Sequence, residues 1–230
     1  MNPSATTKGK QAFTLIELLV VVAIIGILSA MLLPVVTDRG CTSPKSTICM
    51  NNLRQVGLGL MLYAQDNKDM LPWQVSTNRS DPETLISNRT TADHFLKLTT
   101  YLKSPQLFAC PADSSRTMAA TNFLGFSNSN LSYFASLDVS LITPPTNVFN
   151  MILSGDRHLA WNNQPLKAGL FSTTNSAAMS WTKELHWVEN QTETQGVLAF
   201  ADGHCEAVKA NNLPAAFQLQ NLTNTKLVLP

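Results

Sequence analysis

A long uncharged apolar run near the N-terminus constrains this chain more than any other feature. Residues 18–33 contain no charged side chain, and residues 13–36 contain a single one, Glu17. At about 1.5 Å per residue, a helix of this length can cross a hydrocarbon layer of roughly 30 Å. Two lysines precede the run, which favours residues 1–12 in the cytoplasm and the rest of the chain outside it.

Three interpretations of this run compete. A cleaved secretory signal has a shorter apolar stretch, whereas this run continues beyond the small-residue cleavage site that Ser29-Ala30-Met31 could imitate. A plain membrane anchor explains the length but not Glu17, because a carboxylate inside an apolar segment is costly without a partner. The third interpretation is a membrane segment in which Glu17 has a special role.

The residues at the start of the run favour the third interpretation. Residues 12–18, Ala-Phe-Thr-Leu-Ile-Glu-Leu, resemble the signature of type IV prepilins and type II secretion pseudopilins. In that family a dedicated peptidase cuts just before the Phe, the new α-amine is methylated, and the apolar helix is kept. The resemblance implies cleavage between Ala12 and Phe13 and N-methylation of Phe13. The family usually has Gly where this chain has Ala12; because alanine is the next smallest side chain, processing is expected to survive, at a lower rate.

The resemblance also implies assembly roles for Glu17 and Pro34. Counted from Phe13, Pro34 is the twenty-second residue, where the family commonly has a helix-kinking proline. In a filament the apolar helices bundle, and an unpaired carboxylate in that core would be expensive. The Phe13 amine of a neighbouring subunit is the implied counter-ion, which would set the axial register. The alternative is that Glu17 merely reaches the lipid headgroups from the end of the helix.

The remaining sequence predicts an α+β head, in which a helix packs on a small antiparallel sheet. Residues 148–153 predict a strand, and residues 197–208 predict a β-hairpin with Asp202-Gly203 in the tight turn. A helix over residues 50–66 is predicted from apolar side chains that recur every three or four positions. These side chains are Met50, Leu53, Val56, Leu60 and Tyr63.

The expected organisation has four segments. Residues 1–12 are a cytoplasmic leader, residues 13–36 a transmembrane or filament-core helix, residues 37–66 a linker with a second helical segment, and residues 67–230 a periplasmic or extracellular head. The resemblance implies a pilin-like fold, in which the long N-terminal hydrophobic helix packs on the head. Pilin-like proteins usually run one long helix through the linker region, and the breakers Gly40 and Pro44 predict an interruption here.

Further stretches are similar to a branch of pilin-like proteins abundant in planctomycete and verrucomicrobial bacteria. They begin at Cys49-Met50-Asn51-Asn52, at Cys110-Pro111-Ala112-Asp113 and at Ala201-Asp202-Gly203-His204. That branch has a histidine, nine residues and then Asp-Gly. Here fifteen residues separate His186 from Asp202, so the spacing departs by six. The role of His186, Asp202 and Gly203 is left unassigned.

The four cysteines form an even set without a CxxC pair, which favours disulfides over zinc in an exported head. Cys49 and Cys110 are the candidate pair, because each lies in a stretch that resembles the family. Cys41 or Cys205 could replace either partner, and all four thiols could also be free.

Catalytic, metal-dependent and nucleic-acid-binding functions find little support. Lys plus Arg (16) nearly balances Asp plus Glu (15), so no basic field points to nucleic acid. His186, Asp202, His204 and Glu206 have side chains that suit zinc, but His204 and Glu206 on one face of a hairpin are more typical of a solvated face. We therefore expect no metal, no cofactor and no enzymatic activity. The pair Asp156-Arg157 predicts a surface or turn ion pair, and His94 and His158 are predicted in polar loops.

Together these observations predict a structural subunit of a type II secretion pseudopilus or a type IV pilus. The expected location is the inner membrane, with a single pass, the N-terminus in the cytoplasm and the head in the periplasm, followed by a periplasmic or surface filament. The expected partners are the prepilin peptidase and methyltransferase, other pilin-like subunits, platform proteins and the membrane. The alternative is a membrane-tethered extracytoplasmic binding protein, for example for polysaccharide, that does not polymerise.

Overall fold

The computed structural model describes residues 14–37, 44–75, 90–113, 119–142, 148–182, 188–189, 193–220 and 224–230. The chain divides into two compact units, Met1–Thr42 and Ser43–Pro230. In the first unit the described element is helix α1 (Leu15–Thr37), which is apolar around its whole circumference over the run described above. A helix of this kind is normally surrounded by apolar material on every side.

Helix α2 (Pro44–Asp66) opens the second unit and contains the helix predicted over residues 50–66. The predicted stripe is buried at Leu53, Val56 and Leu60, which are fully inaccessible to solvent, and half-buried at Met50. The helix ends where Lys68 and Asp69 take positive φ and the Asp69 amide donates to the Ala64 carbonyl. Such left-handed residues close a helix by satisfying its last carbonyls.

Ten strands follow in the described residues, all paired antiparallel. They are β1 (Tyr133–Ser136), β2 (Ile152–Asp156), β3 (Leu159–Trp161), β4 (Gln164–Pro165), β5 (Gly169–Thr173), β6 (Met179–Trp181), β7 (Val188–Glu189), β8 (Glu193–Phe200), β9 (Cys205–Lys209) and β10 (Thr225–Leu229).

The strands form two sheets. The larger has the order β5-β10-β1-β2-β8, and both β7 and β9 pair with β8; the smaller has the order β4-β3-β6. Two short helices complete the regular structure, α3 (Thr91–Leu96) and α4 (Leu213–Gln218). Short 3-10 turns lie at Pro105–Phe108, Asn128–Asn130, Val148–Asn150 and Ser176–Ala178.

The core of the second unit lies where α2 packs against β2, β8 and β9. Two glycines of α2 lie at its packing contacts. A Cβ added at Gly57 would make an ordinary contact of 3.5 Å with the Ala199 Cβ of β8, whereas one at Gly59 would come within 2.8 Å of the Leu102 side chain, which lies outside the sheet. The predicted α+β class, with an antiparallel sheet and an N-terminal helix, is therefore present.

The strand predicted over residues 148–153 is partly wrong. Val148–Asn150 forms a 3-10 turn, and β2 begins at Ile152. The reason lies in the partner strand, because β8 ends at Phe200, opposite Ile152. The Ala201 amide donates to the Met151 carbonyl at 2.8 Å, after which the chain of β8 turns away. Residues before Met151 therefore have no continuation of β8 to pair with.

The predicted hairpin is present as β8 and β9, with a loop one residue longer than expected. The Gly203 amide donates to the Phe200 carbonyl at 3.0 Å, and the Phe200 amide donates to the His204 carbonyl at 3.0 Å. Gly203 has φ +89°, a left-handed conformation that glycine adopts without strain. This arrangement is a type I turn followed by a left-handed glycine, so the loop comprises residues 201–203.

Candidate functional site

The N-terminal end of α1 holds Glu17 in a reciprocal capping arrangement with Thr14. The Thr14 amide donates to Glu17 Oε2 at 2.8 Å, and the Thr14 hydroxyl donates to the same oxygen at 2.7 Å. The Glu17 amide in turn faces the Thr14 hydroxyl oxygen at 3.4 Å. A carboxylate in the first helical turn satisfies free amides and is favoured by the helix dipole. The capping places the negative charge at the very start of α1.

The side chains that follow Glu17 are exposed on all sides of α1. The large apolar side chains of residues 15–28 are between 49% and 81% exposed. Burying a single such side chain lowers the free energy by roughly 1.5–3 kcal/mol relative to leaving it exposed to water. The exposed surface is therefore one that lipid or other apolar helices would cover favourably.

Several predicted N-terminal features involve residues or side chains that the structure does not describe. Ala12 and Phe13 lie outside the described residues, and so does the predicted leader. Pro34 lies within α1, whose side chains are described only as far as residue 29. Among the residues that the structure describes, no helix is both long enough and apolar enough to cross a membrane. The transmembrane or filament-core segment predicted over residues 13–36 begins at Phe13, outside the described residues, and stays a prediction.

In the head, a disulfide bond joins Cys49 of α2 to Cys110 in the loop after the Pro105–Phe108 turn. Their Cα atoms are 4.9 Å apart, and both residues are buried. Asn52 supports the same junction, because its side-chain amide donates to the Ala109 carbonyl at 3.1 Å. This is the cysteine pair that the sequence singled out. Cys41 lies outside the described residues, and Cys205 is a free thiol.

Three residues after the disulfide, the carboxylate of Asp113 contacts two basic side chains. Arg157 approaches it with Nε at 2.9 Å from Oδ2 and with Nη2 at 3.0 Å from Oδ1. His158 Nε2 lies 3.1 Å from Oδ1. The side chains are 1% exposed for Asp113, 9% for Arg157 and 10% for His158. Two-pronged contacts of this kind are the strongest form of arginine–carboxylate pairing.

This cluster corrects two predictions. The pair Asp156-Arg157 was predicted at the surface or in a turn, but Asp156 is fully buried in β2 and Arg157 is bonded to Asp113. His158 was predicted in a polar loop, but its ring contacts Asp113 and is largely buried. Arg157 lies in a bend just after β2 and contacts Asp113, whereas Asp156 accepts a hydrogen bond from Val197, so adjacency in sequence does not make Asp156 and Arg157 partners.

Asp156 is fully buried at the end of β2. Its Oδ2 accepts a hydrogen bond from the Val197 amide at 2.7 Å. Burial raises the pKa of the Asp156 carboxyl to about 7, although the Val197 amide and His158 oppose the shift. Burial likewise raises the pKa of the Cys205 thiol to about 11, despite the nearby Arg54. The Cys205 thiol is therefore protonated at neutral pH and a poor nucleophile.

The residues of the Asp202-Gly203-His204 motif make contacts within the turn and with neighbouring side chains. Asp202 Oδ1 accepts from the His204 amide at 3.1 Å and also contacts His204 Nδ1. The His204 ring stacks on Phe200, with centroids 4.2 Å apart. A Cβ at Gly203 would lie 3.7 Å from the Met61 sulfur, so the turn rests against α2. His186 lies outside the described residues, and its relation to this turn stays untested.

Two further observations concern histidines and metals. His94 was predicted in a polar loop but lies in α3, is 2% exposed, and has its ring 6.3 Å from that of Trp73. A polar sequence context gave no sign of this burial, because α3 is only six residues long. Within the described ranges, no group of three or more His, Cys, Asp or Glu side chains could hold a metal ion.

Comparison with protein families identifies a known motif in the N-terminal segment. Residues 7–33 match the family model of the prokaryotic N-terminal methylation motif. The match includes Ala12, Phe13 and Glu17, and it ends one residue before Pro34. Searches of curated proteins and of solved structures gave no match. The match is consistent with a prepilin-type protein and with membrane anchoring.

Proposed function

We propose that this chain is a prepilin-like structural subunit of a type II secretion pseudopilus or a type IV pilus. The methylation motif over residues 7–33 carries the proposal and supports a pilin- or pseudopilin-like role in general. The motif also implies processing by a prepilin peptidase and assembly with other pilin-like subunits. It suggests a structural rather than an enzymatic role.

Processing at the motif would remove residues 1–12 and create a new α-amine at Phe13. The next residue along the chain, Thr14, already donates its amide to the Glu17 carboxylate. The carboxylate therefore lies at the end of the helix where the new positive charge arises. In the proposed filament, Glu17 of one subunit pairs with the methylated Phe13 amine of a neighbour, because a charge buried among apolar helices needs a counter-ion.

The exposed apolar surface of α1 supports insertion and bundling. Before assembly, the helix would lie in the inner membrane with the leader in the cytoplasm and the head in the periplasm. After extraction, the same surface would be covered by the α1 helices of other subunits. Pro34, within the last turn of α1, would provide the bend that the family commonly has in this helix. Platform proteins and the methyltransferase complete the proposed set of partners.

A second candidate function is a membrane-tethered binding protein that keeps α1 but does not polymerise. The observation that favours it is a partly exposed pair of aromatic rings, Trp161 and Phe171, in a stretch of sequence with few charged residues. Cross-linking of intact cells separates the two functions. A ladder of homo-oligomers is expected for the subunit, and monomers alone are expected for the tethered binding protein.

Mass spectrometry of the mature N-terminus tests the proposal directly. The protein, recovered from cells that express a prepilin peptidase, should begin at Phe13 and carry one additional methyl group on its α-amine. Ala12→Gly is a matched variant that restores the residue usual in the family, and we expect it to be processed at least as fast. A mature chain that begins at or after Ala30 would instead establish a cleaved secretory signal and refute the proposal.

A further inference from the structure

Two partly exposed aromatic rings meet where the small sheet lies beside β5. Trp161 ends β3 and Phe171 lies in β5, with ring centroids 6.1 Å apart and planes inclined at 59°. Trp161 Nε1 donates to the Asn175 carbonyl at 3.1 Å. That bond satisfies the polar atom of the indole and fixes its orientation. The ring packs partly against the core, and the part that remains exposed is an apolar surface held in a fixed orientation.

Exposed amide side chains lie next to this ring in the chain. Asn162 and Asn163 have φ +50° and +61° and form the two-residue turn that joins β3 to β4. Left-handed conformations at both central residues define the tight turn typical of β-hairpins. Gln164 is paired in register with Trp161. All three amide side chains are exposed and can both donate and accept hydrogen bonds.

The surrounding sequence is almost free of charge. Residues 158–182 contain no carboxylate and a single primary amine, Lys167. On the neighbouring strand, Lys226 pairs in register with Ser172, whereas Leu227 pairs with Phe171. Strand alternation therefore directs Lys226 to the face opposite Phe171. A charged ligand would find little electrostatic complementarity here, whereas a neutral polyhydroxylated ligand would need none.

We propose that this surface, formed by Trp161, Asn162, Asn163, Gln164 and Phe171, binds neutral oligosaccharides. The indole face covers the apolar C–H face of a sugar ring, and the flanking amides bond to its hydroxyls. A specific protein interface needs about 800 Å² from each partner, far more than one pair of partly exposed rings supplies. The inference does not rest on the proposed filament role, because assembly of a filament requires no sugar site.

Isothermal titration calorimetry on the full-length chain tests the proposal. The protein is purified in lauryldimethylamine oxide, because glycoside detergents would compete for the surface. The probes are cellohexaose, xylohexaose, mannohexaose and chitohexaose, with hexagalacturonate as a charged comparison. At least one neutral hexasaccharide should bind. Trp161→Ala should weaken that binding about tenfold or more, as expected for loss of a stacked ring, and Trp161→Phe should retain most of it.

Matched variants isolate the surface from general effects on folding. Phe149, which is 63% exposed and lies outside the surface, provides the control Phe149→Ala, which should bind like the wild type. Asn163→Gly keeps the left-handed turn while removing one amide, so it should weaken binding even if Trp161→Ala fails to fold. The proposal is overturned if no neutral hexasaccharide binds, if hexagalacturonate alone binds, or if folded Trp161→Ala or Asn163→Gly binds like the wild type.

Discussion

At the scale of single residues, Asp113 connects the loop after the disulfide to the residues that follow β2. It bonds to both Arg157 and His158 and is almost completely buried. Asp113→Ala leaves the Arg157 guanidinium without its carboxylate, and such a loss within a buried pair destabilises a protein by about 3–5 kcal/mol. Denaturant unfolding of the full-length protein in detergent, followed by tryptophan fluorescence, should show this decrease in the free energy of unfolding.

Two comparisons separate loss of the ion pair from loss of any aspartate. Asp202→Ala removes a hairpin carboxylate with 19% side-chain exposure and should cost roughly 1 kcal/mol or less. The double variant Asp113→Leu with Arg157→Met removes both charges together and should recover much of the stability. If Asp113→Ala proves as stable as Asp202→Ala, the contacts to Arg157 and His158 contribute little in solution.

The sequence could not pair these residues. Asp113 lies 44 positions before Arg157, and no periodic pattern connects a loop after a disulfide with the end of a buried strand. Adjacency suggested the wrong partner for Arg157, since the carboxylate next to it in sequence belongs to the buried Asp156. In contrast, the N-terminal motif was predictable because its chemistry lies within seven consecutive residues.

At the scale of elements, the assembly role proposed for α1 depends on the carboxylate of Glu17 in its first turn. Glu17→Val removes the carboxylate that caps Thr14 and makes membrane insertion less costly. We therefore expect normal cleavage before Phe13 and normal insertion, but cross-linked homo-oligomers reduced about tenfold, equivalent to about 1.4 kcal/mol of lost pairing. Quantitative immunoblots of membrane and sheared-filament fractions measure cleavage, membrane insertion and assembly separately.

Thr14→Val is the matched variant for α1, because it removes the hydroxyl contact and leaves the carboxylate in place. It should assemble far better than Glu17→Val. Entry of Glu17→Val into filaments at the wild-type level would show that the carboxylate has no counter-ion role. A cleavage defect in the same variant would show instead that Glu17 acts in peptidase recognition.

The longer elements were predictable and the shorter ones were not. The stripe of α2 repeats over several helical turns, and the β8–β9 hairpin combines two apolar strands with a glycine turn. The small sheet of β3, β4 and β6 has strands of two or three residues, which are too short to show alternation. The two asparagines of its turn are a recognisable turn signal, but the flanking strands are too short for the sequence to indicate a hairpin there.

At the scale of the whole molecule, one covalent link joins the long helix of the head to its loops. The Cys49–Cys110 bond closes a loop of 61 residues. Chain-entropy estimates put the stabilisation from a loop of this length at roughly 4 kcal/mol. The double variant Cys49→Ser, Cys110→Ser should therefore lose several kcal/mol in denaturant unfolding at non-reducing conditions, and the wild type should lose a similar amount after reduction.

Cys205→Ser is the control for the disulfide, because it removes a half-buried thiol and leaves the bond intact. Its stability should stay close to that of the wild type. Non-reducing peptide mapping of protein recovered from the cell envelope should find the Cys49 and Cys110 peptides linked. Recovery of both as free thiols in that material would contradict a role for the bond in the exported head.

The position of β10 in the larger sheet has a consequence for the timing of folding. This strand, Thr225–Leu229, lies between β5 and β1 and pairs with both. Until residues 225–229 have been synthesised and delivered, the sheet has a gap at an interior position. Pairings between such distant parts of a chain form slowly. The larger sheet therefore cannot be completed before residues 225–229 are available, which would suit the proposed export of the head as an unfolded chain.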